Sequence, residues 1–306
     1  MMNNKLRFSV LAVAITLIIF ACGDSFSTVV EIDQPEFKDR LVFFSIAMNN
    51  DTAIAYNIGQ NRGLLAEGVD NDYLIDDVRV VVSNETTGTT FDSDDGAITF
   101  NQGTYFFEDV PSDFFLGGQQ YKYQLSHTGF PDSETVLEFP KKGELKDITY
   151  KYEDGVDEEW EEASSISFTI VDDPSAENYY ELEARAYRQF DTQETQRSFW
   201  IFTTDPTATK ATHEDNLYFS DETFNGEEKN LTIKFDRWLF NPDEDEHIQL
   251  IWRSINKGHF LYTKTLDRAL KNGENPFVSP VQVYSNVTDG LGAISFRNEV
   301  SYFVTE

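Results

Sequence analysis

The sequence has few of the residues that form disulfides, thiolate metal sites or nucleic-acid surfaces. Its 306 residues include one cysteine, Cys22, so an internal disulfide and a zinc site built from several cysteines are excluded. Basic residues are also scarce, because 24 Lys and Arg stand against 54 Asp and Glu, for a net charge of −30. Proteins bind nucleic acid through clustered Lys and Arg that neutralise phosphates. The composition therefore argues against a nucleic-acid partner.

Familiar catalytic patterns are missing as well. The chain has four histidines, and no two stand at the i, i+4 spacing of metal ligands: His127, His213, His247 and His259. It has no Gly-x-Ser-x-Gly elbow and no phosphate-binding loop. Paired carboxylates can serve a glycan hydrolase, but 54 acidic residues make chance pairs almost certain. The sequence thus predicts a non-enzyme without a cofactor, and a carboxylate-based glycan hydrolase is the alternative.

The N-terminal apolar run is too short to cross a membrane. It covers the 14 residues from Phe8 to Ala21 and follows Lys5 and Arg7, whereas a spanning helix needs about 20 apolar residues. Its length and flanks are those of a signal peptide. The run ends in "IFAC", which resembles the bacterial lipobox, where a signal peptidase cuts before a cysteine whose sulfur carries a lipid. We predict a signal peptide over 1–21, lipidation of Cys22 and a tether over 22–37; an ordinary secretory signal with an incidental cysteine is the alternative.

Period-two alternation dominates the remaining sequence. Apolar and polar residues alternate in "YKYQLS" from Tyr121, in "ISFTI" from Ile166 and in "LTIKF" from Leu231, as in half-buried strands. The pattern predicts an all-β, mainly antiparallel protein. Strand spacing predicts an Ig-like sandwich over 38–140, then an acidic linker over 141–162. A second β-sandwich or barrel-like domain is expected over 163–306, with one helix near 255–272 that stops at a glycine and a nearby proline.

Several stretches together resemble a family of Bacteroidota outer-membrane lipoproteins known as domain of unknown function 4249. They are "IDDVRVVVSNETTGTTF", "GGQQYKYQLSHTG", "VDDPSAENYY", "FSDETFNGEE", "SINKGHFLYTKTL" and "ENPFVSPVQVYSNVTDGLGAISF". The resemblance covers nearly the whole chain after the signal peptide. It implies an outer-membrane lipoprotein that accompanies TonB-dependent transporters, and it carries over no catalytic residue.

Three functions follow as hypotheses. The first is a non-catalytic binding or accessory module of a TonB-dependent uptake system, lipid-anchored in the outer membrane and exposed at the cell surface, with an unknown ligand. The second is a structural or adhesive surface lipoprotein, and the third is a glycan hydrolase whose two carboxyl groups would lie about 5–10 Å apart in a cleft. Tryptophans could contribute to a ligand face, although such residues are more often core; they are Trp160, Trp200, Trp238 and Trp252.

One acidic stretch is a candidate for calcium. Asp92, Asp94 and Asp95 precede Gly96 and supply the oxygen density and turn glycine that hard cations use. An EF-hand loop starting at Asp92 fails, because Gly103 stands where the twelfth-position Glu belongs. The alternative is a solvated hairpin tip.

Calcium binding at this tip predicts a higher melting temperature when calcium is added, since a ligand that binds only the folded state stabilises it. The measurement is thermal unfolding with and without millimolar calcium. An unchanged melting temperature would end the calcium hypothesis.

Overall fold

The alternating stretches of the sequence become strands in the structure, which is a computed structural model. It describes residues 38–62, 75, 77–96, 98–101, 104–152, 154, 162–190, 193–211, 215–239, 246–273, 278–279 and 281–304. The predicted signal peptide (1–21), Cys22 and the tether (22–37) lie outside these residues. Within the described ranges, helical segments lack the length and apolar character needed to cross a bilayer.

Strands account for most of the elements. In chain order they are β1 (Leu41–Met48), β2 (Ile54–Gln60), β3 (Arg79–Asn84), β4 (Thr90–Asp92), β5 (Ile98–Asn101), β6 (Thr104–Phe107), β7 (Gln120–His127), β8 (Phe130–Glu138), β9 (Glu144–Lys151), β10 (Ala163–Val171), β11 (Tyr179–Phe190), β12 (Gln193–Phe199), β13 (Thr209–Lys210), β14 (Leu217–Ser220), β15 (Glu228–Asp236), β16 (Glu246–Ile255) and β17 (Leu291–Val304). The helix α1 (Lys257–Gly273) lies between the last two strands. The predicted all-β class with one helix is confirmed.

The strands form one large sheet and two small ones. The large sheet has the order β13-β14-β11-β16-β17-β1-β2-β6-β5, with β12 also paired to β11. The small sheets have the orders β15-β10-β9 and β4-β3-β7-β8. All pairs are antiparallel except β1 with β17.

Two apolar cores lie on the same face of the large sheet. The first joins Phe43 and Phe296 to side chains of the four-stranded sheet such as Tyr123. The second joins Trp252 and its neighbours to the three-stranded sheet. Strand β17 serves both cores: Ile294 and Phe296 enter the first, and Tyr302 and Val304 reach the second. These β17 residues all have even numbers, and alternate residues of one strand share a face. Both cores therefore lie on one face of the large sheet, and the molecule is two sandwiches that share this sheet.

The two regions that the sequence predicts as separate domains are therefore joined. Strand β1 from the first region pairs in parallel with β17 from the second, from Val42 opposite Leu291 to Met48 opposite Arg297. The described residues from Asp39 onward form one compact unit.

A strand also lies where the sequence predicts a linker. Strand β9 occupies Glu144–Lys151, within the predicted linker 141–162. Its alternation is interrupted at Asp147, which has a φ of 54°, and its pairing with β10 shifts register there. A bulge of this kind breaks the period-two signal, so the sequence pattern does not reveal the strand. Most of the acidic run after Tyr152 lies outside the described residues.

Two asparagine side chains take the place of a neighbouring strand along the first half of β17. Antiparallel pairing with β16 begins only at Arg297. Before that point, the amide of Asn286 donates to the Ile294 carbonyl at 2.8 Å and accepts from the Ile294 N–H at 2.9 Å. Asn256 donates to the same carbonyl at 3.1 Å and accepts from the Phe296 N–H at 3.0 Å. Buried backbone groups require such partners, so these asparagines are part of the sheet.

Gly292 permits the parallel pairing of β1 and β17. Its φ is +115°, and an added Cβ would lie 1.9 Å from the Phe43 carbonyl oxygen. We expect Gly292→Ala to lower the free energy of unfolding by well over the ~1–2 kcal/mol of left-handed backbone strain, because strand β1 must also move. Chemical denaturation measures the change.

Gly88→Ala is the matched control. Gly88 also has a positive φ, +78°, but no heavy atom lies within 4 Å of an added Cβ. Equal destabilisation by both substitutions would contradict the role assigned to the close approach at Gly292.

Candidate binding cleft

A cleft opens at the N-terminal end of α1, where four parts of the chain meet. Its volume is about 580 Å³, within the ~300–1,000 Å³ usual for ligand sites. One wall is the end of β8 with the residues that follow it, and the other contains the turn before β11 and the junction of β16 with α1. The lining residues are Val136, Leu137, Glu138, Pro140, Lys141, Asp173, Ser175, Ala176, Glu177, Asn178, Tyr179, Ser254, Ile255, Asn256, Lys257, Gly258, Tyr284 and Asn286.

Ion pairs hold the walls of this cleft. Lys141 Nζ lies 2.9 Å from Asp173 Oδ2, and hydrogen bonds from Ser175 and Lys141 lower the pKa of Asp173 to about 2. Lys257 Nζ lies 2.8 Å from Glu177 Oε2. A hydrogen bond from Lys257, with a second from Tyr179, lowers the pKa of Glu177. Both carboxylates are anions at neutral pH, so they suit binding better than proton donation.

A second hollow of about 480 Å³ lies on the other side of Glu177, Tyr179 and Lys257. It is lined in part by Asp221, which is buried. Burial raises the pKa of Asp221, against the lowering effect of a hydrogen bond from the Asn178 backbone. That N–H lies 2.7 Å from Asp221 Oδ2. The carboxylate thereby fixes the turn that forms a wall of the main cleft.

The floor at the start of α1 depends on close packing. An added Cβ on Gly258 would lie 2.3 Å from Nδ2 of Asn286, the side chain that bonds to β17. Any larger residue at Gly258 would push Asn286 away from Ile294. The requirement for glycine here is structural.

A buried charged network stabilises the strands that carry the cleft. On the face of the large sheet opposite the two cores, Glu181, Arg253 and Glu299 stand side by side on β11, β16 and β17. Arg253 pairs with three carboxylates: Nη1 lies 2.7 Å from Glu181, Nη2 lies 2.8 Å from Glu183, and Nε lies 2.8 Å from Glu299. The adjacent row along the same face contains Tyr179 of the cleft, Ile255 and Arg297.

Glu181 is the centre of this network. It is fully buried, and its Oε2 lies 3.1 Å from Nε of Arg297 and 3.4 Å from Nε2 of His259 on α1. Burial alone would raise the pKa of Glu181, but Arg297, His259 and Arg253 together lower it to about 2. His259 also contacts Ser295 of β17 at 2.9 Å. The network thus connects α1 to the sheet beside the cleft.

The calcium candidates are not among the residues that line the cleft, and two of them already face a cation. Both oxygens of Asp92 accept hydrogen bonds from Arg79, and Asp94 Oδ2 lies 3.2 Å from Arg79 Nε. A calcium ion at Asp92, Asp94 and Asp95 would compete with this guanidinium. Among the described residues, no group of three or more His, Cys, Asp or Glu has a metal-holding arrangement. Calcium at the hairpin tip stays a prediction.

Tryptophans are divided between core and surface. Trp252 is completely buried, whereas Trp200 and Trp238 are 58% and 75% exposed. Trp160 lies outside the described residues. None of the three described tryptophans lines either hollow. Of the four histidines noted in the sequence, His259 belongs to the buried network around Glu181.

Periodicity and motifs alone do not identify the cleft residues. The family resemblance, however, rests in part on stretches that supply them. The stretches "VDDPSAENYY", "FSDETFNGEE", "SINKGHFLYTKTL" and "YSNVTDG" all contribute residues to the two hollows. They lie between residues 171 and 290 of the sequence and converge on one end of α1.

The fold defines a β-sandwich protein, and its cleft is lined by both apolar and ion-paired side chains. The model of the family described as domain of unknown function DUF4249 matches residues 27–302, so this chain belongs to that family. A comparison with curated proteins gives no match.

Arg253→Met is expected to lower the free energy of unfolding by about 3–5 kcal/mol, the usual cost of removing one partner from a buried ion pair. The network's contribution is fully present above pH 4.5, the ordinary pKa of Glu181, and is lost as the pH falls towards about 2. Stability of Arg253→Met should therefore depend less on pH in that window. Denaturant unfolding across this pH range measures both effects.

Arg79→Met is the matched control, because Arg79 pairs with Asp92 at an exposed hairpin and exposed pairs contribute little to stability. Equal losses in the two variants would show that burial of the Arg253 network does not matter.

Proposed function

We propose that this protein is a non-catalytic binding module, anchored by a lipid on Cys22 in a bacterial outer membrane, that assists TonB-dependent nutrient uptake. The cleft of about 580 Å³ at the end of α1 is the observation that carries the binding role. Its size suits a ligand or a segment of a partner, and ion pairs already join residues of its lining. Pre-organised walls reduce the ordering cost of binding.

The charges in the cleft support binding over catalysis. A glycan hydrolase needs one carboxyl group whose pKa is raised, so that it can donate a proton. Asp173 and Glu177 have lowered pKa values, because lysines and hydroxyls hold them as anions. Such groups orient polar ligands without exchanging protons at neutral pH.

Membrane attachment and the transporter role rest on the sequence. The lipobox-like "IFAC" supports lipidation of Cys22, and the resemblance to outer-membrane lipoproteins supports a TonB-dependent partner. The net charge of −30 is compatible with a body held away from an anionic membrane surface. Exposure at the cell surface is part of the same proposal.

One observation favours the hydrolase alternative. Asp221 lines the second hollow and has a pKa raised by burial, as a general acid requires. Against it, Asp221 Oδ2 is bonded to the Asn178 backbone. Loss of glycan turnover in Asp221→Asn, with the fold intact, would favour the hydrolase over the binding module.

We expect the tagged full-length protein, purified gently from native outer membranes, to bring with it a TonB-dependent transporter in near-equal amount. Mass spectrometry of the purified material is the measurement. Cys22→Ser is the matched control, because it removes the thiol that carries the lipid; it should be absent from the outer membrane and lose the transporter. Recovery of wild-type protein alone would count against the accessory role.

A further inference from the structure

The C-terminal half of strand β8 has an open edge, and that edge faces the cleft. β8 is the last strand of the four-stranded sheet, and among the described strands it pairs with β7 alone. Its C-terminal residues Val136, Leu137 and Glu138 line the cleft, and Val136 is 50% exposed. Unpaired strand edges are templates for pairing with another chain.

The pairing with β7 shows which backbone groups point into the cleft. The Phe139 N–H donates to Gln119 at 2.9 Å, and the Phe139 carbonyl accepts from Gly118 at 2.8 Å, so Phe139 points towards β7. Successive residues of an antiparallel strand point their N–H and C=O groups in opposite directions. The backbone N–H and C=O groups of Val136 and Glu138 therefore point away from β7. Their outward groups form no hydrogen bond with any described residue.

One isolated bridge marks where the edge closes. The Thr288 N–H donates to the Glu134 carbonyl at 3.0 Å, as expected for an outward-pointing residue two positions before Val136. Beyond this bridge the two segments are not paired, and the cleft lies between β8 and the wall that contains Tyr284 and Asn286. The cleft thus begins where the pairing of β8 with Thr288 stops, and the backbone of Val136 and Glu138 borders it.

We propose that an extended, uncharged or basic segment of a partner polypeptide adds to β8 as a further strand, bonded to the backbone of Val136 and Glu138; this inference rests on the proposed binding role of the cleft. Strand addition uses main-chain bonds for affinity and side-chain pockets for specificity. Tyr179 and Pro140 offer apolar surface to the added side chains.

The charge of the occupant follows from the cleft and from the chain. Glu138, Asp173 and Glu177 stand against Lys141 and Lys257 in the lining, and the whole chain carries −30. An acidic segment would be repelled, whereas lysine or arginine side chains would be attracted. A second copy of this chain is disfavoured by the same repulsion and by the position of the edge inside a cleft.

The test uses fluorescent peptides of about six residues, the usual length of a strand. One peptide alternates valine and lysine, a second has the same sequence with methyl groups on alternate backbone nitrogens, and a third alternates valine and glutamate. We expect the unmodified lysine peptide to bind the full chain at least about tenfold more tightly than the methylated one, since one lost backbone hydrogen bond is worth about 1 kcal/mol and methylation removes the two donated to Val136 and Glu138. The glutamate peptide should also bind more weakly, because the lining carries a surplus of carboxylates. Fluorescence anisotropy measures binding.

Val136→Pro tests the edge from the side of the protein. Proline removes an N–H that makes no bond to β7, and edge strands tolerate proline at such positions. We expect the variant to fold and to bind the lysine peptide about fivefold more weakly, the effect of one lost hydrogen bond of about 1 kcal/mol. Val136→Thr is the matched control, because it keeps the N–H and a branched side chain, and it should bind like wild type. Should Val136→Pro fail to fold, the methylated peptide on wild-type protein decides the question.

Several results would overturn strand addition. They are no binding of the lysine peptide at millimolar concentration, equal binding of the methylated peptide, undiminished binding by folded Val136→Pro, and a wild-type dimer that Val136→Pro abolishes. A transporter that co-purifies equally with wild type and Val136→Pro would overturn it as the mode of attachment while leaving the accessory role standing. Peptide binding with no transporter recovered would support the edge and count against the accessory role.

Discussion

The parallel pairing of β1 with β17 is the constraint on which the rest of the fold depends. It joins residues 42–48 to residues 291–297, so nearly the whole described chain lies between the two partners. Through this pair the strands of the first core and those of the second become one sheet. A contact of such sequence separation must overcome a large loop-closure entropy, and topologies rich in these contacts fold slowly. The glycine at 292 matters because the closest approach of the two strands occurs there.

The cleft is a consequence of how β17 is completed on its other side. Pairing with β16 covers only the second half of β17, and the first half is satisfied by the amides of Asn256 and Asn286. Both asparagines also line the cleft beside the edge of β8. The hollow is therefore built into the sheet arrangement, and the start of α1 is fixed beside it by Asn256.

Alternation was sufficient to predict the class of fold, and its failures have physical causes. Tyr121, Tyr123 and Leu125 were expected on one face of a strand, and all are buried in β7. In β11, by contrast, Glu181 and Glu183 occupy positions that alternation assigns to solvent, yet both are buried. They are stable there because Arg253 reaches both, and its position on another strand is not visible from local sequence. The cleft was hidden for the same reason, since its residues are polar and come from distant stretches.

Rigidity behind the cleft and openness at its edge are complementary properties. The buried network ties β11, β16 and β17 to each other and to α1, so the wall that contains Tyr179 and Lys257 has little freedom to move. A rigid wall cannot close over a ligand. It therefore favours a partner whose shape and hydrogen-bonding groups already match those of the cleft. The backbone of β8 offers such complementarity, because its N–H and C=O groups repeat at the spacing of any extended chain. Recognition through the backbone fixes the direction and register of a bound segment, while the surplus of carboxylates selects its charge. Both features act before contact is complete, and the proposed binding role relies on them to select a partner.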